Sequence, residues 1–537
     1  MQAIKKLAIC FLAILTVVSF FPPQRMNGAE SELIGWVPRE ILERPVTLRQ
    51  GIGTAHEKVT TSSSQAQAFY DQGLAYLHSF VWIEAARSFH QALRLDPSLA
   101  MAYLGLGDAY IGLQDVSASR EALETAESLA GNMSEAERAR ITIRSKQLDY
   151  LSESADLQKY FAYRQAITEA ITANPSDPWL WILRGFSDEG SPFAHGQGGG
   201  TDTLAFYETA LSLAPDNFAP HHYLAHTFEN LGRTNDALEQ SRDYAQLAPN
   251  IPHAHHMYGH SLRRAGRTDE AIAEFVKADS LENAYYQTEH IPAKYDWHHA
   301  HNLTLLALSY EAIGQMKSAE KTFREAFSLP TYTDMADFNR RAWPEFLLNR
   351  GRSEEALAAA QELTRSRWAM GRFAGHTLAG QAFVAMRRLD DAKNELSLAE
   401  REMEEIPATV IAALPDAGVL RAEILFCGDS RKQGSALLTQ LEKGIAAVPG
   451  PDAWSESLFE LESITTLSRA LGDWDLAGST AQTMIQHDPS YAGGYIALGM
   501  VDEHNGNAAK ANDDFATAEK LWSKADADVA VPRASNP

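Results

Sequence analysis

Eleven of the eighteen histidines of this chain fall between His221 and His301. They recur with a period. His221, His222 and His226 return 34 residues later as His255, His256 and His260, and Pro215 and Pro249 keep the same interval. A period of that length marks a helix–turn–helix solenoid. Within it the pairs His222/His226 and His256/His260 are spaced i, i+4, which puts both rings of a pair on one helix face. Imidazole is the commonest protein ligand for metals and suits zinc, copper, iron or nickel.

The helix period says where these rings point. At about 100° per residue, repeat positions 4, 7, 8 and 11 share the face that meets the second helix of the hairpin. Positions 2, 5, 9 and 13 lie opposite. His253 falls at position 2, His222 and His256 at position 5, and His226 and His260 at position 9, so all five point away from the hairpin contact. His301 reads as position 2 of a following unit. His221 and His255, at position 4, are expected to pack against the second helix. Neighbouring helices pack roughly 8–10 Å apart, close enough for the two pairs to converge on one point. The expected ligand set for zinc, copper or iron is therefore His222, His226, His253, His256, His260 and His301. Glu229 would add a carboxylate or orient a ring.

Other readings of the same residues stay open. Neutral histidines in a groove also hydrogen-bond a peptide, and a duplicated repeat carries its histidines along for no chemical reason. Arg263, Arg264, Arg340 and Arg341 would clamp a carboxylate in the groove, or are ordinary exposed helix arginines. His56 and His78 reach the groove only if the array curls back on itself; otherwise they are surface or packing residues. The connection 281–297, with Glu289, His290 and several aromatic residues, is either a lid over the groove or a packed loop.

The elements that must position these groups start at Ala66. Phe69, Gly73, Tyr76, Ala85, Phe89, Ala92 and Pro97 occupy repeat positions 4, 8, 11, 20, 24, 27 and 32, and Tyr103, Leu106, Gly107, Tyr110, Leu123 and Ala126 repeat them. The register runs to the C-terminus, degenerate over 404–450 and firm again at the end. The expected layout is a signal peptide at 1–29 and an irregular arm at 30–65. Repeat units follow at 66–217 with a glycine-rich insertion at 191–201, histidine-rich units at 218–330, further units at 331–522, and a disordered tail at 523–537.

This pattern resembles the tetratricopeptide repeat, whose small residues at positions 8, 20 and 27 let the two helices approach closely. The resemblance implies an all-α, TPR-type α-solenoid, a right-handed superhelix whose first helices line the inner surface. The elements His221-His222-Tyr-x-x-His226 and His256-Met257-x-x-His260, with His301-Asn302, resemble those of a group of exported bacterial tetratricopeptide proteins. Tyr258-Gly259 departs from that group's usual Pro-Ser, and the resemblance implies no particular reaction.

Composition bounds the function. The net charge of −23 argues against nucleic acid, where a basic footprint is expected. Lys5 and Lys6 before the apolar stretch Leu7–Phe21 form an export signal, so the chain is expected to be periplasmic or secreted, and membrane-anchored only if that segment stays uncleaved. Beyond it Cys427 is the sole cysteine, which leaves stability to packing. His-Glu-x-x-His, Gly-x-Ser-x-Gly, Walker and Gly-x-Gly-x-x-Gly elements are absent. The expectation is an interaction scaffold for a protein or peptide with a histidine-lined metal site in its groove. The alternative is a metal-dependent hydrolase or oxidase using the same histidines.

Overall fold

The computed structural model describes residues 37–531 except 130, 132, 153–155, 190–194, 332–333, 407–409, 411–413, 449–450 and 530. The expected signal peptide, 1–29, lies outside the described residues. Every regular element among the described residues is helical, and none of those helices is long and apolar enough to cross a membrane. The fold is an all-α stack of antiparallel hairpins, the TPR-type α-solenoid. By its internal contacts the chain divides into two compact units. One comprises the described residues up to 261 together with 277–295; the other comprises 262–276 together with 296–531.

In the first unit the small residues of the repeat have a clear purpose. Helix Ser64–Leu77 pairs with helix Trp82–Leu95, and the Phe89 ring, fully buried, wedges between Gly73 and Gly105. A Cβ on either glycine would sit 2.5 Å or 2.4 Å from that ring. Burying such a ring stabilises by about 1.5–3 kcal/mol, and only glycine leaves room for it at both neighbours.

The hairpin turns share one backbone device. Gly232 and Gly266, 34 residues apart, and Gly472 and Gly506, also 34 apart, all have positive φ. Glycine takes that conformation without strain. Phe80 and Gln114, again 34 apart, hold the same conformation without being glycine, at φ 60° and 63°. A non-glycine residue there is strained by about 1–2 kcal/mol.

The arm packs as an ordered strap. Gly51 O accepts from Asn250 N at 2.7 Å, Gly53 lies against the Phe218 ring, and Thr60 N donates to Glu137 at 2.7 Å. The stretch read as a long connection from 281 is mostly helix, because Thr268–Glu289 continues without a break. Glu289 is ion-paired to Arg49 and to Arg87, and the Tyr285 hydroxyl donates to Glu84 at 3.0 Å. These contacts make it a packed wall of the first unit and argue against a lid.

In the second unit the degenerate stretch still forms a hairpin, Asp416–Cys427 against Arg431–Ala446, with Gly434 pressed on the Phe426 backbone. The part of the tail that is described differs from the expectation of disorder. Asp526 N donates to Gly314 O at 3.1 Å, and Asp528 pairs with Lys317 at 2.7 Å. The carbonyl at the Gly314 turn and the nearby Lys317 give these acidic residues a dock.

Candidate metal centre

The centre is built by two consecutive first helices of the first unit. Helix Phe218–Asn230 is started by Asn217, whose side chain accepts from Ala219 N, and carries His222 and His226 on one face. The next helix, Pro252–Arg264, begins with proline at its first position, where the missing N–H is not needed. Its second residue is His253.

Three ring nitrogens meet. His222 Nε2 lies 3.0 Å from His253 Nε2 and 3.1 Å from His226 Nε2. The three residues offer nitrogens all within 4.8 Å of one another, and all three are buried. Imidazole nitrogens bind zinc at about 2.0–2.1 Å, so two ligands at angles between a right angle and the tetrahedral value sit roughly 2.9–3.4 Å apart. The two separations from His222 fall in that window.

The tautomer of His222 follows from its other nitrogen. Its Nδ1 is 2.7 Å from the carbonyl oxygen of His78, which can only accept, so Nδ1 carries the proton and donates. In the neutral ring Nε2 is then a bare lone pair, aimed at the other two nitrogens. A backbone carbonyl that fixes the tautomer is the usual outer partner of a metal-binding histidine. Burial holds the His222 imidazole well below its ordinary pKa. His226 and His78 push it further down, and the His78 carbonyl opposes them. The ring is therefore in the neutral form that coordination requires. His78 is pushed down to about 3, first by burial and then by Arg140. It stacks on Trp179 at 4.5 Å, and its Nδ1 is 2.6 Å from the Tyr223 hydroxyl.

Phe80 closes the site. Its ring centroid is 4.5 Å from that of His222, 5.2 Å from His253 and 6.2 Å from His226. The strained positive φ delivers this ring to the imidazoles. Strain of this kind persists where surrounding structure holds it and gathers at functional sites.

Several sequence expectations are corrected here. The five histidines turned away from the hairpin contact are buried, with relative exposures of 8% or less, and Phe80 packs against His222, His226 and His253. The two i, i+4 pairs do not meet at one point. The first pair is completed by His253, while His256 and His260 form a separate pair with Nε2 atoms 2.8 Å apart. The step between stacked helices brings the first turn of the second helix, rather than its equivalent positions, opposite the first pair. The row is nonetheless continuous, since the His253 and His256 rings lie nearly parallel with centroids 5.8 Å apart. His221 packs as expected, with Nδ1 2.8 Å from Gln240 on the second helix of its hairpin. His255 is half-buried beside the Pro249 carbonyl at 2.9 Å.

Glu229 accepts from Ser261 Oγ at 3.0 Å and is not among the converging donors. His301 belongs to the second unit, where its Nε2 is 3.7 Å from Asp452. His56 pairs with Asp71 at the surface. His78, by contrast, does reach the site.

Of the four arginines expected to clamp a ligand carboxylate, Arg263, Arg340 and Arg341 serve carboxylates of this chain. Arg263 pairs with Asp488 at 2.7 Å, both buried, and Arg264 lies over the Trp454 ring. Arg340 pairs with Asp337 and Glu362. Arg341 holds Asp416 at 2.9 Å and Glu456 at 2.5 Å. The partners of Arg263 and Arg341 lie far away in sequence, and a buried guanidinium without one would be strongly unfavourable.

The sequence model of the family described as Tetratricopeptide repeat matches residues 100–133, 252–285 and 300–330. The chain thus carries tetratricopeptide repeats, and the second match contains His253, His256 and His260. No curated protein matches the sequence. Among solved structures, the chain is 12% identical to the Cut9 and Hcn1 hetero-tetramer of the APC/C, over 86% of this chain and 94% of that one, with a TM-score of 0.34. It is 15% identical to a tetratricopeptide repeat protein from Parabacteroides merdae, over 54% of this chain and 99% of that one, at TM-score 0.37. Human IFIT1, solved as a dimer with m7Gppp-AAAA, is 12% identical over 86% and 91%, at TM-score 0.35. Likeness at this level carries nothing about function.

Proposed function

We propose that this chain is an exported interaction scaffold whose first unit holds a transition metal ion on His222, His226 and His253. Tetratricopeptide arrays present extended surfaces to protein or peptide partners, and that is the role assigned to the solenoid here. The observation that supports the metal reading is the meeting of three Nε2 atoms from two consecutive helices, with the lone pair of one fixed by a backbone carbonyl. Soft sulfur ligands and carboxylates are not part of the trio, which favours zinc, copper or iron over magnesium or calcium. The pair His256 and His260, one step along the row, offers a second resting place for an ion entering or leaving.

Three nitrogens leave a fourth coordination position, the arrangement of catalytic zinc sites. The Phe80 ring across the imidazoles favours holding an ion over turning over a substrate, so storage or delivery is preferred to hydrolysis or oxidation. Elemental analysis of the purified mature protein tests the reading. About one bound ion per chain is expected, lost in a His222→Ala plus His253→Ala variant that keeps its helical circular dichroism. Equal metal content in the variant removes the site from these residues.

A further inference from the structure

The arm has no helix or strand of its own over 45–63, yet its backbone is held firmly. Gln72 accepts from Arg49 N at 2.7 Å and donates to the Thr47 carbonyl at 3.2 Å. Gln67 repeats the arrangement further along, accepting from Val59 N at 3.1 Å and donating to the Glu57 carbonyl at 2.8 Å. The Glu57 carboxylate accepts from the Tyr70 hydroxyl at 2.6 Å and pairs with Arg140 at 2.7 Å. A segment without its own ladder must find such partners, and here the helices of the first unit supply them.

Between these two anchorages the arm bridges the two helices that carry the imidazole trio. Gly51 O accepts from Asn250 N at 2.7 Å, and Gln50 O accepts from Asn250 Nδ2 at 2.9 Å. Asn250 immediately precedes the turn into the helix of His253. A short step along the arm, Gly53 lies on the ring of Phe218, the residue that opens the helix of His222 and His226. Both glycines have positive φ, 73° and 86°. A Cβ would sit 2.5 Å from Asn250 Nδ2 at the first and 2.3 Å from the Phe218 ring at the second. This stretch of arm therefore ties the start of one ligand helix to the start of the next.

Ring stacks carry the contact inward along two routes. Phe218 stacks on Tyr244, with centroids 5.5 Å apart and planes 12° from parallel, and Tyr244 stacks on His222 at 4.8 Å and 23°. On the other route the His56 carbonyl accepts from Trp179 Nε1 at 3.3 Å. Trp179 stacks on His78, whose carbonyl fixes the His222 tautomer. Interiors are close-packed and transmit displacement from one ring to the next.

We propose that residues 50–56 are a positioning element of the metal centre. They set the step between helices Phe218–Asn230 and Pro252–Arg264 at which His253 meets His222 and His226. The inference rests on the metal reading above and adds a means of regulation to it, because linkage between two sites is reciprocal. A docked arm pre-forms the trio, an ion in the trio holds the arm down, and whatever draws the arm away loosens the ion.

Hydrogen–deuterium exchange and chelator competition on the full chain test both directions, with zinc as the probe. Zinc should slow exchange of the arm amides at 49–60 by about fivefold or more. Gly53→Val drives the arm off Phe218 without touching an imidazole, and it should weaken zinc binding by about tenfold or more while its helical circular dichroism is kept. Should that variant fail to fold, Trp179→Phe decides in its place, since it keeps an aromatic ring for His78 and loses the donor to His56; the same direction is expected. Ile41→Ala, a buried change at the far end of the arm, should leave zinc affinity unchanged, and a loss as large as that of Gly53→Val would reduce the effect to general stability and overturn the inference. In a chain that binds zinc, arm exchange that ignores the ion, or a Gly53→Val chain that binds as tightly as the native one, also overturns it and leaves the metal reading standing. A native chain that binds no zinc overturns this inference too, and the metal content of the purified chain then decides the metal reading separately.

Discussion

His222 donates from Nδ1 to the carbonyl oxygen of His78, 2.7 Å away in space and 144 residues earlier in the chain. This bond ties the turn of the first described hairpin to the helix that begins the histidine row. It fixes which nitrogen of His222 is bare, and it brings Phe80, two residues on, across the three rings. A single contact thus sets both the chemistry and the closure of the site.

Closure is testable through Phe80. Phe80→Gly removes the ring and relieves the positive φ, so its backbone gain of about 1–2 kcal/mol partly offsets the lost burial. The variant should melt within several degrees of the parent yet release its metal to a competing chelator at least about tenfold faster. Stopped-flow chelation measures this. Unchanged release would mean that the ring does not guard the ion.

The orienting role of the carbonyl predicts a graded effect at the ring it serves. His222→Gln keeps a hydrogen-bonding side chain but loses the imidazole, whereas His260→Gln removes a ring outside the trio. Metal affinity should fall by about 10–100-fold or more in the first and change far less in the second. Competition titration with a calibrated chelator gives both numbers, and equal losses would move the primary site toward the His256/His260 pair.

The carboxylates of the second unit give it an unusual pH response. Burial pushes Glu345 up to about 8 and Glu311 and Glu423 up to about 7. Arg341 opposes the shift at Glu345, while Glu456, Asp416 and Glu311 reinforce it. Arg350 opposes it at Glu311, where Glu462 reinforces it. Ser463 and Gln381 oppose it at Glu423. A carboxyl whose folded pKa is raised binds its proton better in the folded state. Its stability contribution is therefore complete below the unfolded value near 4.5 and is lost as pH climbs through 7 to 8. The thermal midpoint should be higher at about pH 6 than at about pH 8.5, and Glu345→Gln should flatten that dependence. A midpoint that rises over the same interval contradicts it.

Gly434 offers a packing test in the degenerate hairpin. A Cβ there would lie 2.3 Å from Phe426 N and 2.5 Å from its Cα. Backbone cannot swing aside as a side chain does, so Gly434→Ala should destabilise by about 1–3 kcal/mol or more, read as a lowered midpoint in denaturant unfolding. A neutral result would mean that the two helices stand further apart.

The sequence made some of this legible and hid the rest for physical reasons. Periodic small residues such as Gly73 and Ala85 report the helix pairing directly, because close approach forbids anything larger. The i, i+4 spacing of His222 and His226 reports a shared face. Convergence with His253 rather than with His256 and His260 depends on how far one helix steps past the next, which no local pattern encodes. His78 and Phe80 act from more than 140 residues away. Likewise the arginines looked like a ligand clamp only because their carboxylates lie so distant, Glu456 being 115 residues from Arg341 and Asp488 being 225 from Arg263. The buried carboxylates Glu311, Glu345 and Glu456 come from three separate helices, none of which carries a recognisable motif.

X-ray absorption at the metal edge of the purified chain tests the metal centre most directly. The expected spectrum has about three imidazole nitrogens at roughly 2.0–2.1 Å around one ion, and it collapses to a weaker, solvent-rich shell in His222→Ala plus His253→Ala. A chain that carries no transition metal and takes up no zinc, copper or iron at micromolar concentration, or a native spectrum without imidazole scattering, would contradict it.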